Sequence, residues 1–289
     1  MQTGKWISEI QEDAGSAFSL RVNERVHTEQ SPFQRIEVYK TTDFGYLLVI
    51  NDYLVLTSRD GFLTHEMLAH PALFTHRRPR RVCIIGGGSC GTLREVLRHR
   101  EVGKVWQIEI DPAVTRVAER FFPELCELNG DPRVRYLHQD GVLWLRDLAP
   151  DSLDLIILDT ADPAGSADAL APHALHGHCL QALAPGGLLV QPGGSPLYHG
   201  YVLRRIHASL ASAGFADSQT LFYPQPTYAS GWWTAILARK SRPIKGFREE
   251  DAAQRPFATR YYSPEIHRAA LAVPEFVKTE MQLVDTRAG

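Results

Sequence analysis

The stretch RVCIIGGGSCGTLREVL, residues 81–97, decides the fold of this chain. An apolar run rich in β-branched residues ends at three glycines, Gly86 to Gly88, and a helical pattern begins around Gly91. A second apolar run, 105–110, contains the acid Glu109. Strand, glycine turn, helix and acid-bearing strand are the layout of a nucleotide-binding βαβ unit, in which the acid accepts hydrogen bonds from ribose hydroxyls. A glycine turn that only closes a structural loop is the alternative.

The composition indicates a globular protein. The chain has 289 residues, of which 44% are hydrophobic and 22% charged, and its net charge is −2. This near-neutral balance predicts neither nucleic acid nor a membrane surface as a partner. No apolar run approaches the roughly 18 residues of a membrane span, and the polar, acidic N-terminus is unlike a signal peptide. We therefore expect a cytoplasmic protein.

Neither the cysteines nor the histidines indicate a metal site. No CxxC pair occurs among the four cysteines, which predicts reduced thiols rather than a disulfide or zinc framework. Cys90 lies in the glycine loop, where a tolerated small residue is favoured over a functional thiol. His173, His176 and His178 form an HxxHxH cluster. For this cluster, solvated or lid histidines are favoured over metal ligands.

The hydrophobic pattern divides the chain into three parts. Residues 1–60 alternate apolar and polar residues between turn signals, which predicts a small antiparallel β-meander domain. Residues 61–240 open with a helical pattern at 61–76, after which strands and helices alternate. This part is predicted to be a Rossmann-like catalytic domain with a doubly wound, mostly parallel sheet, an α/β fold. The tail, 241–289, contains four prolines and is predicted to wrap over the surface.

Individual elements follow from the same pattern. In the N-terminal part, strands are predicted at 18–22, 35–40 and 46–50. In the parallel sheet, strands are predicted at 81–86, 104–110, 133–138, 153–159 and 186–191, with a late edge hairpin of 217–223 and 232–239. Helices are predicted at 91–99, 112–121, 141–147, 170–183 and 199–213.

The ends of the first four strands of the parallel sheet predict a ligand site. Ligands bind at the carboxyl ends of the strands in such a sheet. These ends carry, in chain order, Gly86–Gly88, Glu109 with Asp111, Asp140 with Gly141, and Asp159 followed by Asp162. Four successive acids or glycine loops on one rim favour a binding site over a solvated edge.

Eight short motifs, spread over most of the chain, point to one protein family. They are HEMLAHPAL (65–73), IIGGG (84–88), GTLREVLRH (91–99), IEID (108–111), QDG (139–141), LDTADPAG (158–165), LAPGG (183–187) and PTYASGWW (226–233). In this order they resemble the spermidine synthases, the polyamine aminopropyltransferases. Ordinary methyltransferases share only the glycine loop and the acid.

The resemblance implies a fold and an activity. The fold is an N-terminal β domain followed by a Rossmann-like catalytic domain, assembled as a homodimer or homotetramer. The activity is transfer of an aminopropyl group from decarboxylated S-adenosylmethionine to a primary amine such as putrescine, with release of 5′-methylthioadenosine. The donor is a co-substrate rather than a tightly bound cofactor, and no metal is implied.

The resemblance also assigns a role to each candidate residue. Glu109 would hold the ribose hydroxyls of the donor, and Asp140 its adenine amino group. Asp159 would accept a proton from the attacking amine or orient it, while Asp162 and Tyr228 would bind the acceptor amine. The other donor-binding residues would be Gly86, Gly87, Gly88, Ser89, Gly141 and His65.

Carboxylates suit this chemistry for a physical reason. A protonated alkylamine is a poor nucleophile because its lone pair is occupied, and a carboxylate within hydrogen-bond reach can accept the proton while holding the nitrogen in line. Two carboxylates three residues apart, Asp159 and Asp162, also suit a dicationic substrate. Tyr228 and Trp232 could pack an alkyl chain or face a cation, whereas core packing is favoured for Trp233.

The chain departs from the family pattern on the side that would face the amine. The family's glycine loop GGGDGG reads GGGSCG here, so Ser89 replaces an aspartate that pairs with the amine of the donor. Val55 replaces a donor-contacting glutamine, and Thr64 an acceptor-contacting tyrosine. Three functions stay open: aminopropyl transfer with altered preference, transfer of a methyl or aminocarboxypropyl group from S-adenosylmethionine, and non-catalytic binding of a nucleoside or a partner.

Overall fold

Antiparallel strands form the N-terminal sheet of the computed structural model, which describes residues 5–160 and 173–282. These strands are β1 (Lys5–Gln11), β2 (Ser16–Gln30), β3 (Arg35–Thr41), β4 (Tyr46–Ile50) and β5 (Tyr53–Thr57). Each strand pairs with the next, which confirms the predicted meander. Asn51 and Asp52 join β4 to β5 with positive φ angles of 48° and 71°, the backbone that a two-residue hairpin loop requires.

A larger sheet follows along the chain. Its strands are β6 (Arg81–Gly86), β7 (Lys104–Ile108), β8 (Val134–Leu137), β9 (Leu153–Asp159), β10 (Leu183–Gly194), β11 (Asp217–Pro224) and β12 (Trp232–Arg239). Their spatial order is β11-β12-β10-β9-β6-β7-β8. Strands β10, β9, β6, β7 and β8 pair in parallel, whereas β12 runs antiparallel to both β10 and β11. This arrangement confirms the predicted parallel sheet with a late hairpin at its edge.

Helices cover both faces of the larger sheet. They are α1 (Gly61–Thr75), α2 (Gly91–Leu97), α3 (Pro112–Phe121), α4 (Gly141–Arg146), α5 (His173–Ala182), α6 (Gly200–Ala213), α7 (Glu249–Ala253), α8 (Pro264–Ala270) and α9 (Glu275–Gln282). On one face Met67 packs with Ile84, and on the other Ile206 packs with Ile156. Within 5–160 and 173–282, no helix has both the length and the apolar character needed to cross a membrane.

Helix α3 and helix α1 lie close to the N-terminal sheet and position it over the larger one. Val38 and Leu48 of the N-terminal sheet pack in one apolar cluster with Val117 and Phe121 of α3. Helix α1 follows β5 directly, and all of its residues except Phe62 are buried. A helix that is buried on all sides needs no polar stripe, which explains why its sequence pattern is only partly periodic.

One buried carboxylate ties the C-terminal segment to α1. Glu66 is 1% exposed, and its two carboxylate oxygens accept hydrogen bonds from three successive backbone N–H groups. The distances are 2.8 Å from Arg260, 2.9 Å from Tyr261 and 2.7 Å from Tyr262. Tyr262 is itself buried in the core cluster that contains α1. The tail is therefore anchored through its backbone to a residue of the helix that borders the cavity described below.

Removing this carboxylate should destabilise the protein. Glu66→Ala leaves three N–H groups without a charged acceptor, so we expect the free energy of unfolding to fall by about 3 kcal/mol. Urea unfolding followed by fluorescence measures this change. The exposed Glu250 provides the matched control, because Glu250→Ala should change the same quantity by no more than about 0.5 kcal/mol. Equal losses in the two variants would contradict the anchoring role.

Candidate active site

A cavity of about 350 Å³ lies at the carboxyl ends of the parallel strands and is also bordered by the N-terminal sheet. Ten of the predicted site residues line it: His65, Gly86, Gly87, Gly88, Ser89, Glu109, Asp140, Gly141, Asp159 and Tyr228. The remaining one, Asp162, lies outside the described residues. Residues from 65 to 228 along the chain thus converge on one space, while their individual roles stay predictions.

The glycine loop lies directly against Asp159. Gly86 and Gly87 have φ angles of +78° and +67°, a region that favours glycine. A Cβ atom on Gly87 would stand 2.6 Å from Asp159 Oδ2, and one on Gly86 would stand 2.5 Å from the Asp159 carbonyl oxygen. That carbonyl accepts a 2.7 Å hydrogen bond from the Gly87 N–H. Side chains are excluded here, so the loop backbone and the carboxylate share one wall of the cavity.

Glu109 is held by backbone donors on both of its oxygens. Oε2 accepts from the Gly88 N–H at 3.0 Å, and Oε1 accepts from the Asp111 N–H at 2.9 Å. Burial raises the pKa of Glu109, and so do the charges of Asp111 and Asp159, whereas the hydrogen bonds from the two N–H groups lower it. A carboxylate has about four lone-pair positions, so Glu109 keeps capacity to accept hydrogen bonds from hydroxyl groups.

Asp159 and His65 both line the cavity, and each affects the pKa of the other. Burial raises the pKa of Asp159, and the neighbouring His65 opposes that rise. Within the described part of the chain, Asp159 Oδ2 is buried without a hydrogen-bond partner. Burial lowers the pKa of His65, which is 6% exposed. A Cβ atom on Gly91 would stand 2.1 Å from the His65 ring, which explains a glycine at the first position of α2.

Two further acids follow strands of the larger sheet, and only one of them lines the cavity. Asp140 is exposed and begins α4, since its Oδ1 accepts from the Val142 N–H at 2.7 Å and the Leu143 N–H at 3.1 Å. Asp111 does not line the cavity. Its carboxylate accepts from the hydroxyl of Ser31 at 2.6 Å and from the Ala113 N–H at 3.0 Å. Asp111 therefore caps α3 and ties it to the N-terminal part.

Tyr228 borders the cavity beside the N-terminal sheet. Its hydroxyl donates a 2.7 Å hydrogen bond to the carbonyl of Val55, and burial raises its pKa. Its ring meets Trp233 edge-on at 4.8 Å between centroids. Trp233 is 4% exposed and belongs to the core, as favoured above, although it also borders the cavity.

Trp232 and His176 lie elsewhere than the sequence predicted. Trp232 does not line the cavity; it packs against Phe222 and Phe276, both at 5.9 Å between centroids. His176 is not solvated. It is 1% exposed, its Nε2 lies 2.8 Å from Gln191 Oε1, and burial lowers its pKa. Within residues 5–160 and 173–282, no group of three or more His, Cys, Asp and Glu side chains could hold a metal ion.

The N-terminal part of the chain adds polar residues that the sequence pattern did not single out. Glu9, Gln34 and Tyr53 line the cavity. Glu9 lies on β1, and its Oε2 accepts from the Leu54 N–H at 2.7 Å. Thr64, noted above only as a departure, also lines the cavity and donates to Gln225 Oε1 at 2.9 Å. The KWISEIQ segment of β1 lacks a strict alternation of apolar and polar residues, so no local signal placed Glu9 on a strand.

Comparison with protein families identifies two matching regions. Residues 61–247 match the family described as "Spermine/spermidine synthase domain". Residues 5–58 match the family described as "Spermidine synthase tetramerisation domain". Together these matches cover both sheets described above.

Individual proteins and solved structures are similar over nearly the whole chain. The polyamine aminopropyltransferase of Thioalkalivibrio sulfidiphilus is 50% identical over 96% of this chain and 97% of its own length. That of Alkalilimnicola ehrlichii is 52% identical over 94% and 96%. A spermidine synthase in complex with the transition-state analogue AdoDATO has a TM-score of 0.91 at 30% identity, covering 98% of this chain and 96% of its own. Spermidine synthase from Thermotoga maritima has a TM-score of 0.90 at 29% identity, with coverages of 98% and 95%.

Proposed function

Since the chain belongs to the spermine/spermidine synthase family, we propose that it transfers an aminopropyl group from decarboxylated S-adenosylmethionine to a primary amine such as putrescine. 5′-Methylthioadenosine is the second product. The observation that carries this proposal is that Glu109 and Asp159 lie on two sides of one glycine loop and line the same cavity. In this arrangement Glu109 binds the nucleoside and Asp159 accepts the proton, on either side of the aminopropyl carbon that is transferred.

The donor occupies the side of the cavity formed by the glycine loop. Glu109 accepts hydrogen bonds from the ribose hydroxyls with its remaining lone pairs, while its other contacts to Gly88 and Asp111 hold it still. Asp140, whose Oδ1 is engaged at the start of α4, presents its other oxygen to the adenine amino group. The glycines admit the donor close to the backbone, since no side chain stands between them and the cavity.

The acceptor amine reacts beside Asp159. The Asp159 carboxylate takes the proton of the ammonium group, whose nitrogen then attacks the carbon bonded to the donor's sulfonium sulfur. The carbon–nitrogen bond forms as the carbon–sulfur bond breaks, and the bonding electrons leave with the thioether. The Tyr228 hydroxyl donates a hydrogen bond to the carbonyl of Val55. Its oxygen can therefore still accept a hydrogen bond from the far ammonium group of the acceptor. We place Asp162 in the same acceptor role on the resemblance alone.

A binding and turnover experiment tests the proposal against its alternatives. Decarboxylated S-adenosylmethionine, S-adenosylmethionine and 5′-methylthioadenosine are titrated separately into the protein by calorimetry. Turnover with putrescine is then followed as methylthioadenosine release. Binding of the decarboxylated donor with turnover supports the proposal. Preference for the parent compound would indicate transfer of another group, and binding without turnover of any donor would indicate a non-catalytic protein.

Ser89 offers a prediction of gained affinity. Ser89 lines the cavity where the family carries an aspartate that pairs with the donor's amine. A charge-assisted hydrogen bond contributes roughly 1.5–3 kcal/mol against about 1 kcal/mol for a neutral one, so Ser89→Asp should tighten binding of the decarboxylated donor about tenfold. Methylthioadenosine lacks that amine and serves as the control ligand, for which no tightening is expected. Tighter binding of both ligands would refute a specific contact with the amine.

Assembly and location complete the proposal. We place the protein in the cytoplasm as a homodimer or homotetramer. The match of residues 5–58 to the tetramerisation domain supports assembly through the N-terminal sheet. Trp6 and Ile10 on β1 are 61% and 63% exposed, an apolar surface that a second copy would cover. Light scattering of wild type and of Trp6→Ser measures the mass, which should fall in the variant.

A further inference from the structure

Two cysteines meet at the glycine loop. Cys90 Sγ lies 3.5 Å from the carbonyl oxygen of Gly88, and Cys126 Sγ lies 3.9 Å from that of Ser89. The carbonyls of Gly88 and Ser89 are consecutive in the loop, so both thiols contact the same short piece of backbone. Cys126 Sγ therefore lies beside the peptide group that joins Ser89 to Cys90. Both are free thiols in this structure.

The backbone at Cys90 is unusual for a cysteine. Its φ and ψ angles are 66° and 0°, a left-handed conformation that glycine adopts without cost. The other described non-glycine residues with positive φ are asparagine, aspartate and serine, residues common in turns. The family pattern GGGDGG has glycine at this position. Strained backbone clusters at functional sites, so the Cys90 thiol beside the cavity is a candidate for a function of its own.

The surroundings make the two thiols unequal. The neighbouring Cys126 thiol lowers the pKa of Cys90, against the opposing effect of burial, and Asn129 and Tyr136 lower it further. The same contact raises the pKa of Cys126, and the carboxylate of Glu119 acts to raise both pKa values. Cys90 is therefore the thiol that ionises first, and Cys126 keeps its proton. The thiolate is the form of cysteine that reacts with oxidants.

We propose that Cys90 and Cys126 are a redox pair that a peroxide converts to a disulfide, and that this disulfide weakens nucleoside binding at the neighbouring loop. The Cys90 thiolate attacks one peroxide oxygen, the O–O bond breaks, and hydroxide leaves, which gives a sulfenic acid. The Cys126 sulfur then attacks the Cys90 sulfur, the S–O bond breaks and water leaves. Two thiols and one hydrogen peroxide thus become one disulfide and two waters.

The loop connects this chemistry to the cavity. Cys90 is fully buried and Cys126 is only partly buried, so the oxidant reaches Cys90 when the loop opens. Ser89, between Gly88 and Cys90, lines the cavity, and the Gly88 N–H holds Glu109. Drawing Cys90 onto Cys126 displaces these groups. By linkage, a disulfide that weakens nucleoside binding is itself disfavoured when the nucleoside is bound.

Peroxide treatment of the full-length protein tests the crosslink. Peptide mass mapping without reductant should find the Cys90 and Cys126 peptides joined, and 5′-methylthioadenosine added beforehand should slow the joining. Cys126→Ala and Cys90→Gly should give no crosslink. Cys179→Ala, which removes another buried thiol, should crosslink like wild type. Absence of the joined peptides in wild type, or joining through Cys83 or Cys179 instead, would overturn the pair.

Calorimetry with 5′-methylthioadenosine tests the effect of the crosslink. The oxidised protein should bind about tenfold more weakly than the reduced protein, and dithiothreitol should restore the affinity. Unchanged affinity in fully crosslinked protein would overturn the regulatory part. Only the choice of ligand rests on the proposed function: if the reduced protein fails to bind methylthioadenosine, the proposed function fails, while the peptide map still decides whether the pair forms.

Discussion

Asp159→Asn is expected to lower turnover at neutral pH by about 10³-fold, the middle of the range that a positioned general base contributes. Asparagine keeps the size of the side chain and leaves the glycine loop its space, but it cannot accept the proton of the amine. Methylthioadenosine binding should be nearly unchanged, because this nucleoside does not need the base. Steady-state turnover with decarboxylated S-adenosylmethionine and putrescine measures the loss, and calorimetry measures the binding.

The pH dependence separates a base from a structural role. An alkylamine with a pKa near 10 is already partly deprotonated at alkaline pH and then needs no acceptor for its proton. The ratio of wild-type to variant turnover should therefore shrink as pH rises from about 7 to 10. Asp147→Asn, at an exposed acid on the C-terminal end of α4, is the matched control and should retain wild-type turnover. A ratio that stays constant over this pH range would contradict proton transfer to Asp159.

Glu109→Gln should weaken nucleoside binding about 100-fold, because two charge-assisted hydrogen bonds to the ribose lose their carboxylate. The amide also replaces one acceptor by a donor, and both oxygens of Glu109 face backbone N–H groups, at Gly88 and Asp111. One N–H therefore loses its partner, and the loop that contacts the donor loses part of its support.

Calorimetry with methylthioadenosine measures this change, and the free energy of unfolding of the same variant shows whether the fold is kept. The exposed Glu124 gives the control, since Glu124→Gln removes one carboxylate on the surface and should leave binding unchanged. A Glu109→Gln protein that unfolds normally and binds the nucleoside as wild type does would remove Glu109 from the donor site.

Local patterns in the sequence were sufficient to predict the parallel sheet. Each of its buried strands is a short apolar run that ends at a glycine or an acid, and helical patterns separate the runs. Strands β1 and β5 are not among the predicted strands. Most of β1 is exposed or half-buried, including its apolar Trp6, and β5 is almost wholly apolar, so neither shows the alternation of a half-buried strand. Strand β10 extends to Gly194 because pairing with β12 supports it beyond the predicted end.

The candidate site was predictable where it lies at strand ends and not where it depends on packing between distant elements. The rim of the parallel sheet brings Glu109, Asp140 and Asp159 to the cavity, as the strand-end rule predicts. Glu9 and Tyr53 come from the N-terminal sheet, and no local pattern indicates that this sheet lies over the rim. The same rule also selected Asp111, which caps a helix instead, because an acid after a strand serves equally well as the first residue of the next helix.

The position of β12 between β10 and β11 has a consequence for synthesis of the chain. Every candidate residue precedes Trp232, yet β10 pairs with β12 only after residues 232–239 have left the ribosome. Until then, β10 presents a row of unpaired N–H and C=O groups along an apolar strand, which is a template for association with other nascent chains. The growing polypeptide therefore contains all the candidate active-site residues before the edge of β10 is covered. Pairing with β12 then protects that edge from association with other chains.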